Sequence, residues 1–334
     1  MKRDLTKITY SVVAVLQSGE QVHLENVAEN LSWEENEKDL SVRANFTLRD
    51  IPYTKKKRLS EILSLCTAVY IYYDAHAGGG SKEVFRGTIW VWEHSEIHDD
   101  EIVLTCYDML YYLQKSSDSK YYEKGKSTSG ICSDILSTWG VPMGTFSAPS
   151  ITHEKVLYKN KTISAMLTET IEEADKKSSV KGVIRAKEGK CEFVKQGSND
   201  NIWAFTADTN LVSSKDKYSM TDLVTRVIVV GKDDSKGRPK VEATLNGKTE
   251  YGILQQIKTR GSASLADAKK EAQETLDDKG TPERTITLQS PDVPWIRKGD
   301  RIHVTTDRMK GYFYVKSVSH NATAMQMQME VEPA

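Results

Sequence analysis

Residues 85–116, "FRGTIWVWEHSEIHDDEIVLTCYDMLYYLQKS", decide how the chain is read. The runs "GTIWVW" and "EIVLTCYD" read as two strands on either side of a polar turn. The second passes through Asp108 straight into "MLYYL", an aromatic and leucine-rich corner that reads as a helical start. The corner carries no catalytic signature, so it points to assembly rather than chemistry.

Toward the N-terminus, "ITYSVVAVL", a turn at Ser18-Gly19, "VAENLSWE", the polar turn "ENEKD" and "LSVRANFTL" form a meander by alternation and punctuation. A basic loop "TKKKR", a short helical piece "LSEILSL" and the strand "AVYIYYD" complete an antiparallel β-domain over residues 1–115. Its six or seven strands are enough for a small barrel or sandwich.

The middle, residues 116–215, changes character. "TSGICSDILSTWGVP" has a Thr/Ser start, apolar Ile131, Ile135 and Trp139, and Gly140 with Pro142 as stop signals. "TISAMLTETIEEADKKS" opens on a Thr162 cap, with Ile163, Met166, Leu167 and Ile171 on one face and acids on the other. With the hairpin "GVIRAKEGKCEFVKQG", turning at Glu188-Gly189, these helices make a small α+β domain.

Strands return over residues 216–334, interrupted by one helix, "SLADAKKEAQETLDDKG", that starts at Ser264 and stops at Gly280. The last strand, "AMQMQMEVE", alternates cleanly: Met325, Met327, Met329 and Val331 against Gln326, Gln328 and Glu330. That polar face reads as solvent surface or, less simply, as the lining of a channel that must not grip nucleic acid. "RGTIWVWEHSEIHDDEIVLTCYD" and "GYFYVKSVSHNATAMQMQMEVE" share a loose plan, which predicts two similar β-domains flanking the α+β insert.

At 334 residues and 37.6 kDa the chain is too long for one ordinary core. Its 46 Lys+Arg balance 47 Asp+Glu without a one-sign block, so bulk charge gives no reason for nucleic-acid or anionic-membrane binding. The N-terminus reads as a first strand, since its apolar run is broken by Tyr10, Ser11 and Gln17 and lacks a cleavage site. No stretch approaches the roughly 18 apolar residues of a membrane-spanning helix. Cys66, Cys106, Cys132 and Cys191 are far apart in apolar surroundings and read as buried free thiols.

Chemical motifs fail one by one. "EKGKST" ends like a phosphate loop, but position 120 is Lys where the first Gly is needed, and "HAGGGSK" precedes no helix. His94 and His98 stand four apart, yet in strand surroundings they lie too distant for easy tetrahedral closure of a zinc site. "HEKVL" lacks a second His, and no G-x-S-x-G elbow occurs. No catalytic, cofactor or metal residue is assigned.

The surface is odder than the chemistry. Along "GTIWVW", Thr88, Trp90 and Trp92 alternate with Ile89 and Val91, and along "AVYIYYD", Val69, Ile71 and Tyr73 oppose Tyr70 and Tyr72. Both faces of both strands want burial, so Tyr70, Tyr72, Trp90 and Trp92 are the candidate packing or subunit-interface residues.

With the segments "GICSDILSTWGVP", "KTISAMLTETIEEADKKS" and "WIRKGDRIHVTTDRMKGYFYVKSVSHNATAMQMQMEV" added to the opening stretch, the chain resembles baseplate hub proteins of contractile phage tails, in particular the XkdQ-like branch found in prophages and tail-like particles. The resemblance implies a β-rich α+β fold with two tail-tube-like antiparallel domains, and a homotrimer whose pseudo-sixfold ring joins a sixfold tail tube to a threefold spike. It implies the tube protein, the central spike and other baseplate proteins as partners, a place in the baseplate after assembly in the bacterial cytoplasm, and no cofactor. Asp108 would then fix the turn while Leu110, Tyr111 and Leu113 seal the corner. A tail-associated cell-wall hydrolase and a carbohydrate-binding β-module using exposed aromatics remain the competing readings. The lack of a nucleophile or metal motif weighs against the first. Two-sided apolar strands weigh against the second.

Overall fold

A computed structural model describes residues 7–76, 80–96, 100–233 and 237–334. Residues 1–6 of the expected first strand, most of the "HAGGGSK" glycines and His98 lie outside the described residues.

Two compact units emerge, residues 1–214 with 287–334 and residues 215–286. The first begins with β1 (Thr9–Val15), β2 (Gln21–His23), β3 (Ala28–Glu35), β4 (Val42–Arg49), helix α1 (Leu59–Ile62), β5 (Ala68–Asp74), β6 (Lys82–Ser95) and β7 (Glu101–Tyr107). The expected helical corner follows as α2 (Leu110–Lys115). Next come β8 (Ser117–Tyr122), α3 (Thr128–Thr138), β9 (Met143–Phe146), β10 (Val156–Thr162), α4 (Ile163–Lys176), β11 (Gly182–Lys187), β12 (Lys190–Lys195) and β13 (Trp203–Thr206).

The chain leaves this unit along β14 (Ser213–Ser219). The second unit contains β15 (Arg226–Asp233), β16 (Pro239–Asn246), β17 (Gln255–Thr259) and α5 (Leu265–Lys279). Return is along β18 (Glu283–Pro291), followed by β19 (Arg301–Thr305), β20 (Lys310–Asn321) and β21 (Gln326–Pro333).

Thr162 and Ser264 cap their helices as the sequence predicts, whereas α3 is capped by Ser127, just ahead of its expected Thr128-Ser129 start. Ser127, Thr162 and Ser264 each accept a backbone N–H from the first turn of α3, α4 and α5, satisfying donors the helix cannot pair itself. Glu188 and Gly189 both adopt left-handed backbone, φ 48° and 73°, as the tight β11–β12 hairpin requires. In α5, Ala268, Ala272 and Leu276 pack on Val227 and Val229 of the three-stranded sheet β16-β15-β17 inside the second unit.

The segments 1–115 and 216–334, expected as separate β-domains, are joined by backbone pairing. Residues 32–35 of β3 pair with residues 318–321 of β20, joining the N- and C-terminal strands in one 13-stranded sheet. Its order runs β14-β18-β21-β20-β3-β4-β7-β6-β5-β1-β2, with β19 also on β20 and β13 on β19. Ala322, from the β20–β21 turn, lies in the same core as Val12, Trp33, Phe46 and Leu104. Backbone pairing overrides sequence distance because edge strands of each segment can satisfy one another's donors and acceptors. The α+β segment keeps a core of its own, built from α2, α3, α4 and the β11–β12 hairpin.

The shared plan of the two long hairpins is present at the level of form. Both β6–β7 and β20–β21 are antiparallel, and each of these two pairings carries one bulge, between Ile89 and Val91 and between Val315 and Ser317. Cys106, Cys132 and Cys191 are buried as expected, but Cys66 is exposed, because it occupies a left-handed turn position (φ 66°) ahead of β5 rather than a strand.

Candidate assembly surfaces

Asp108 sits where the sequence stops being a strand. Its two carboxylate oxygens accept the backbone N–H of Val42 and of Leu110, each at 2.8 Å, so it pins β4 to the first turn of α2. Leu110 and Leu113 then seal the core of the α+β segment. Tyr111 does not join them. It stacks on Tyr107 with ring centroids 3.7 Å apart on the outer face.

Around Asp108 lies a knot of charges. Arg297 grips Glu35 with two parallel bonds of 2.7 and 3.0 Å and donates to the Ala186 carbonyl at 2.7 Å. Lys298 donates to the carbonyls of Asn36 and Asp39, and Arg185 reaches Asp300 at 3.2 Å. The knot therefore bolts the β3 end, the β11 strand and the 297–300 loop together. Burial alone would raise the Glu35 carboxyl, but the Arg297 charge and hydrogen bonds outweigh it and hold Glu35 below the usual carboxylate range. Burial pushes Asp108 up to about 7, against the pull of its two backbone donors and Arg297.

The β3–β20 seam has its own lock. His320 pairs in register with Trp33 and stacks on it at 4.7 Å. One ring nitrogen faces Asp292 at 2.6 Å and the other the Ile296 carbonyl at 3.1 Å. The Ile296 carbonyl can only accept, so Nε2 carries a proton toward it, while Nδ1 lies against the Asp292 carboxyl group. The Tyr10 hydroxyl donates to the second Asp292 oxygen, and burial, then that carboxylate, pushes the Tyr10 hydroxyl up from its ordinary value.

The four candidate interface aromatics divide. Val69, Ile71 and Tyr73 are buried in β5, while Tyr70 and Tyr72 lie half-buried on the opposite, outer face with Arg86 over the Tyr70 ring at 5.1 Å. Alternation predicts Trp90 and Trp92 on one face. In the register, Ile89 faces Cys106 and Val91 faces Thr105, leaving Trp90 as the extra residue of a bulge. A one-residue insertion reverses every later side chain. Trp92 therefore turns inward against the N-terminal core, and Trp90 stays outside against Tyr107, Tyr111 and Tyr112.

Tyr70, Arg86, Tyr107 and Tyr112 border a cleft of about 230 Å³ closed on the other side by the Glu188-Gly189 turn. Trp92→Ala is expected to cost about 2 kcal/mol, half a large core deletion, and Trp90→Ala about 1 kcal/mol from its lost ring pairs. Urea denaturation of the two variants checks the order.

Among the described residues, one cluster approaches a catalytic arrangement, and it is inaccessible. Thr128, His153 and Glu173 form a hydroxyl–imidazole–carboxylate line with both spacings 2.9 Å. Thr128 is 0% exposed, and its hydroxyl oxygen already accepts the Ile151 N–H, so it cannot meet a substrate. Burial also pushes the Cys132 thiol up to about 12, far from a reactive thiolate. The alternation of β21 emerges for Met327, Met329 and Val331, buried, against Gln326 and Gln328, exposed, with Glu330 half-buried. Met325, expected on the apolar face, lies in the preceding turn with left-handed backbone and is only half-buried.

A family model described as YQBQ-like matches residues 68–332. The protein YqbQ of Bacillus subtilis (strain 168) is 21% identical over 229 residues, 67% of this chain and 68% of that protein. Among solved structures, the 43 kDa tail protein of prophage MuSo2 from Shewanella oneidensis aligns with a TM-score of 0.68 at 12% identity, over 97% of this chain and 98% of that one. The E. coli protein c3393, a type VI secretion component structurally similar to the T4 tail proteins gp27 and gp5, aligns with a TM-score of 0.52 at 13% identity, over 98% and 77%. The fold is thus that of tail proteins, β-rich with antiparallel sheets.

Proposed function

The chain belongs to the YQBQ-like family, and from that membership and its tail-protein fold we propose that it is a structural baseplate hub of a contractile phage tail or tail-like particle. Three copies form a ring. Each contributes two tube-like β-segments, the strands of residues 1–115 and those that return within 216–334, linked by the α+β segment of 116–215. Six such segments meet a sixfold tail tube on one side, and three chains meet a threefold spike on the other. The tube, the spike and other baseplate proteins are its partners, and it acts without enzymatic activity, assembled in the bacterial cytoplasm into the baseplate.

One observation carries this reading: β3 and β20, from opposite ends of the chain, pair within a single sheet. A subunit that must present two tube-like segments at fixed relative position needs such a joint, whereas a hydrolase or a sugar-binding module does not. The likeness of c3393 to T4 tail proteins supports it from outside the chain. Tyr70, Tyr72 and Trp90 on the outer face supply aromatic contact area suited to a subunit boundary.

Analytical ultracentrifugation across a wide concentration range tests the ring. A species of three chains is expected, alone or with the tube and spike proteins added. A strict monomer in both conditions overturns the hub reading, and turnover of purified peptidoglycan overturns its non-enzymatic part.

A further inference from the structure

Along its own strand His94 meets the Trp92 ring at 5.8 Å, and tertiary packing adds two carboxylates. Asp50 directly follows β4, His94 lies near the end of β6, and Asp100 precedes β7. The Asp50 N–H donates to the Asp100 carbonyl at 2.8 Å, which holds the two loops together. His94 Nε2 then lies 3.5 Å from Asp50 Oδ2 and 3.3 Å from Asp100 Oδ1.

These spacings are long for charge-assisted hydrogen bonds, which run about 2.7–2.9 Å. They fit the edge of a tetrahedron around a metal ion, about 3.3 Å when each ligand stands about 2.0–2.1 Å from the centre. The three ligand atoms lie within 4.8 Å of one another. The Asp50 and His94 side chains are 1% and 14% exposed and Asp100 is 50% exposed, so two ligands are held rigidly and the third borders solvent.

Arg58 reaches into the same cluster. Its Nε donates to Asp50 Oδ2 at 2.8 Å and its Nη2 to Asp100 Oδ2, leaving Asp100 Oδ1 to His94 alone among these contacts. The Arg58 side chain is 42% exposed, and its Nη2 also donates to the Asp50 backbone carbonyl, so an incoming ion must displace it. Ser60 holds the buried carboxylate in place, its N–H on Asp50 Oδ1 and its hydroxyl on Oδ2.

We propose that Asp50, His94 and Asp100 bind a divalent transition-metal ion of the zinc class, for which the Arg58 guanidinium is the built-in competitor. One neutral imidazole with two carboxylates is a donor set suited to zinc and too nitrogen-rich for calcium or magnesium. The bound ion fastens the end of β4 to the β6–β7 connection. The site stands apart from the hub reading and survives or fails without it.

Isothermal titration of ZnCl₂ into untagged, chelator-stripped full-length chain tests it. One Zn²⁺ per chain is expected for the unmodified protein. Arg58→Gln is expected to bind at least tenfold more tightly, because it removes the competing cation. His94→Gln and, separately, the half-exposed Asp100→Asn are expected to lose at least tenfold while keeping the far-UV circular dichroism of the parent. A purely structural Arg–Asp–His knot makes the opposite forecast for Arg58→Gln, which would then lose stability and gain no zinc affinity. Absence of binding by both the parent and Arg58→Gln overturns the site, as does binding indifferent to His94→Gln and Asp100→Asn.

Discussion

Glu35→Ala lowers the unfolding free energy by about 3–5 kcal/mol, a large share of the ~5–15 kcal/mol that folded domains possess. The reason lies in what remains. Arg297 keeps its bond to the Ala186 carbonyl but loses both bonds to Glu35, leaving a guanidinium charge in a largely buried knot. The carboxylate's own attraction contributes less than the cost of stranding its partner.

The double variant Glu35→Met/Arg297→Met removes both charges and is expected to recover most of the loss. Urea denaturation at pH 7 of the parent, both single variants and the double variant closes the cycle. A double variant as unstable as Glu35→Ala would show that the knot acts through shape rather than charge. Lys298 deserves the same cycle, since burial lowers its amine from the usual range despite Glu35 nearby.

Asp108→Asn is expected to change how stability depends on pH. The carboxyl of Asp108 stands near 3.8 when unconstrained and is pushed by burial up to about 7 in the fold. Between these values the folded state holds a proton that the unfolded state has released. The contribution of Asp108 is therefore fully present below about pH 4, falls as pH rises, and is gone above about pH 7. About three pH units correspond to on the order of 4 kcal/mol.

The difference in unfolding free energy between parent and Asp108→Asn should decline over that window and stay flat above it. A difference that is flat from pH 4 to 7 means that the two backbone donors keep Asp108 ionised throughout. Glu35 has the opposite sign: held below its ordinary 4.5, it contributes above that value and is lost as pH falls through its lower folded value. The two groups can be separated because their windows scarcely overlap.

Local order was legible because its causes are local. Thr162 and Ser264 cap helices through bonds to residues three positions away, and the apolar stripe of α4 follows from period alone. The Glu188-Gly189 hairpin and the alternation of β21 are likewise determined within a few residues. Asp108 could be read as a turn residue at the end of a strand, and Leu110 and Leu113 as its apolar seal.

What the sequence determined by itself was therefore the inventory: strands, helices, caps, a β-rich α+β class and the resemblance that implied a tail protein. Only the tertiary structure decided the joints. Nothing near Glu35 announces Arg297, and nothing near Trp33 announces His320, because these pairs form across more than 250 residues of chain. The bulge at Trp90 turned Trp92 inward against the alternation, and Asp50 came to His94 from another loop. Periodicity describes one strand at a time. Which edges meet, and which charges must be buried where they meet, depends on the free energy of the whole packed sheet.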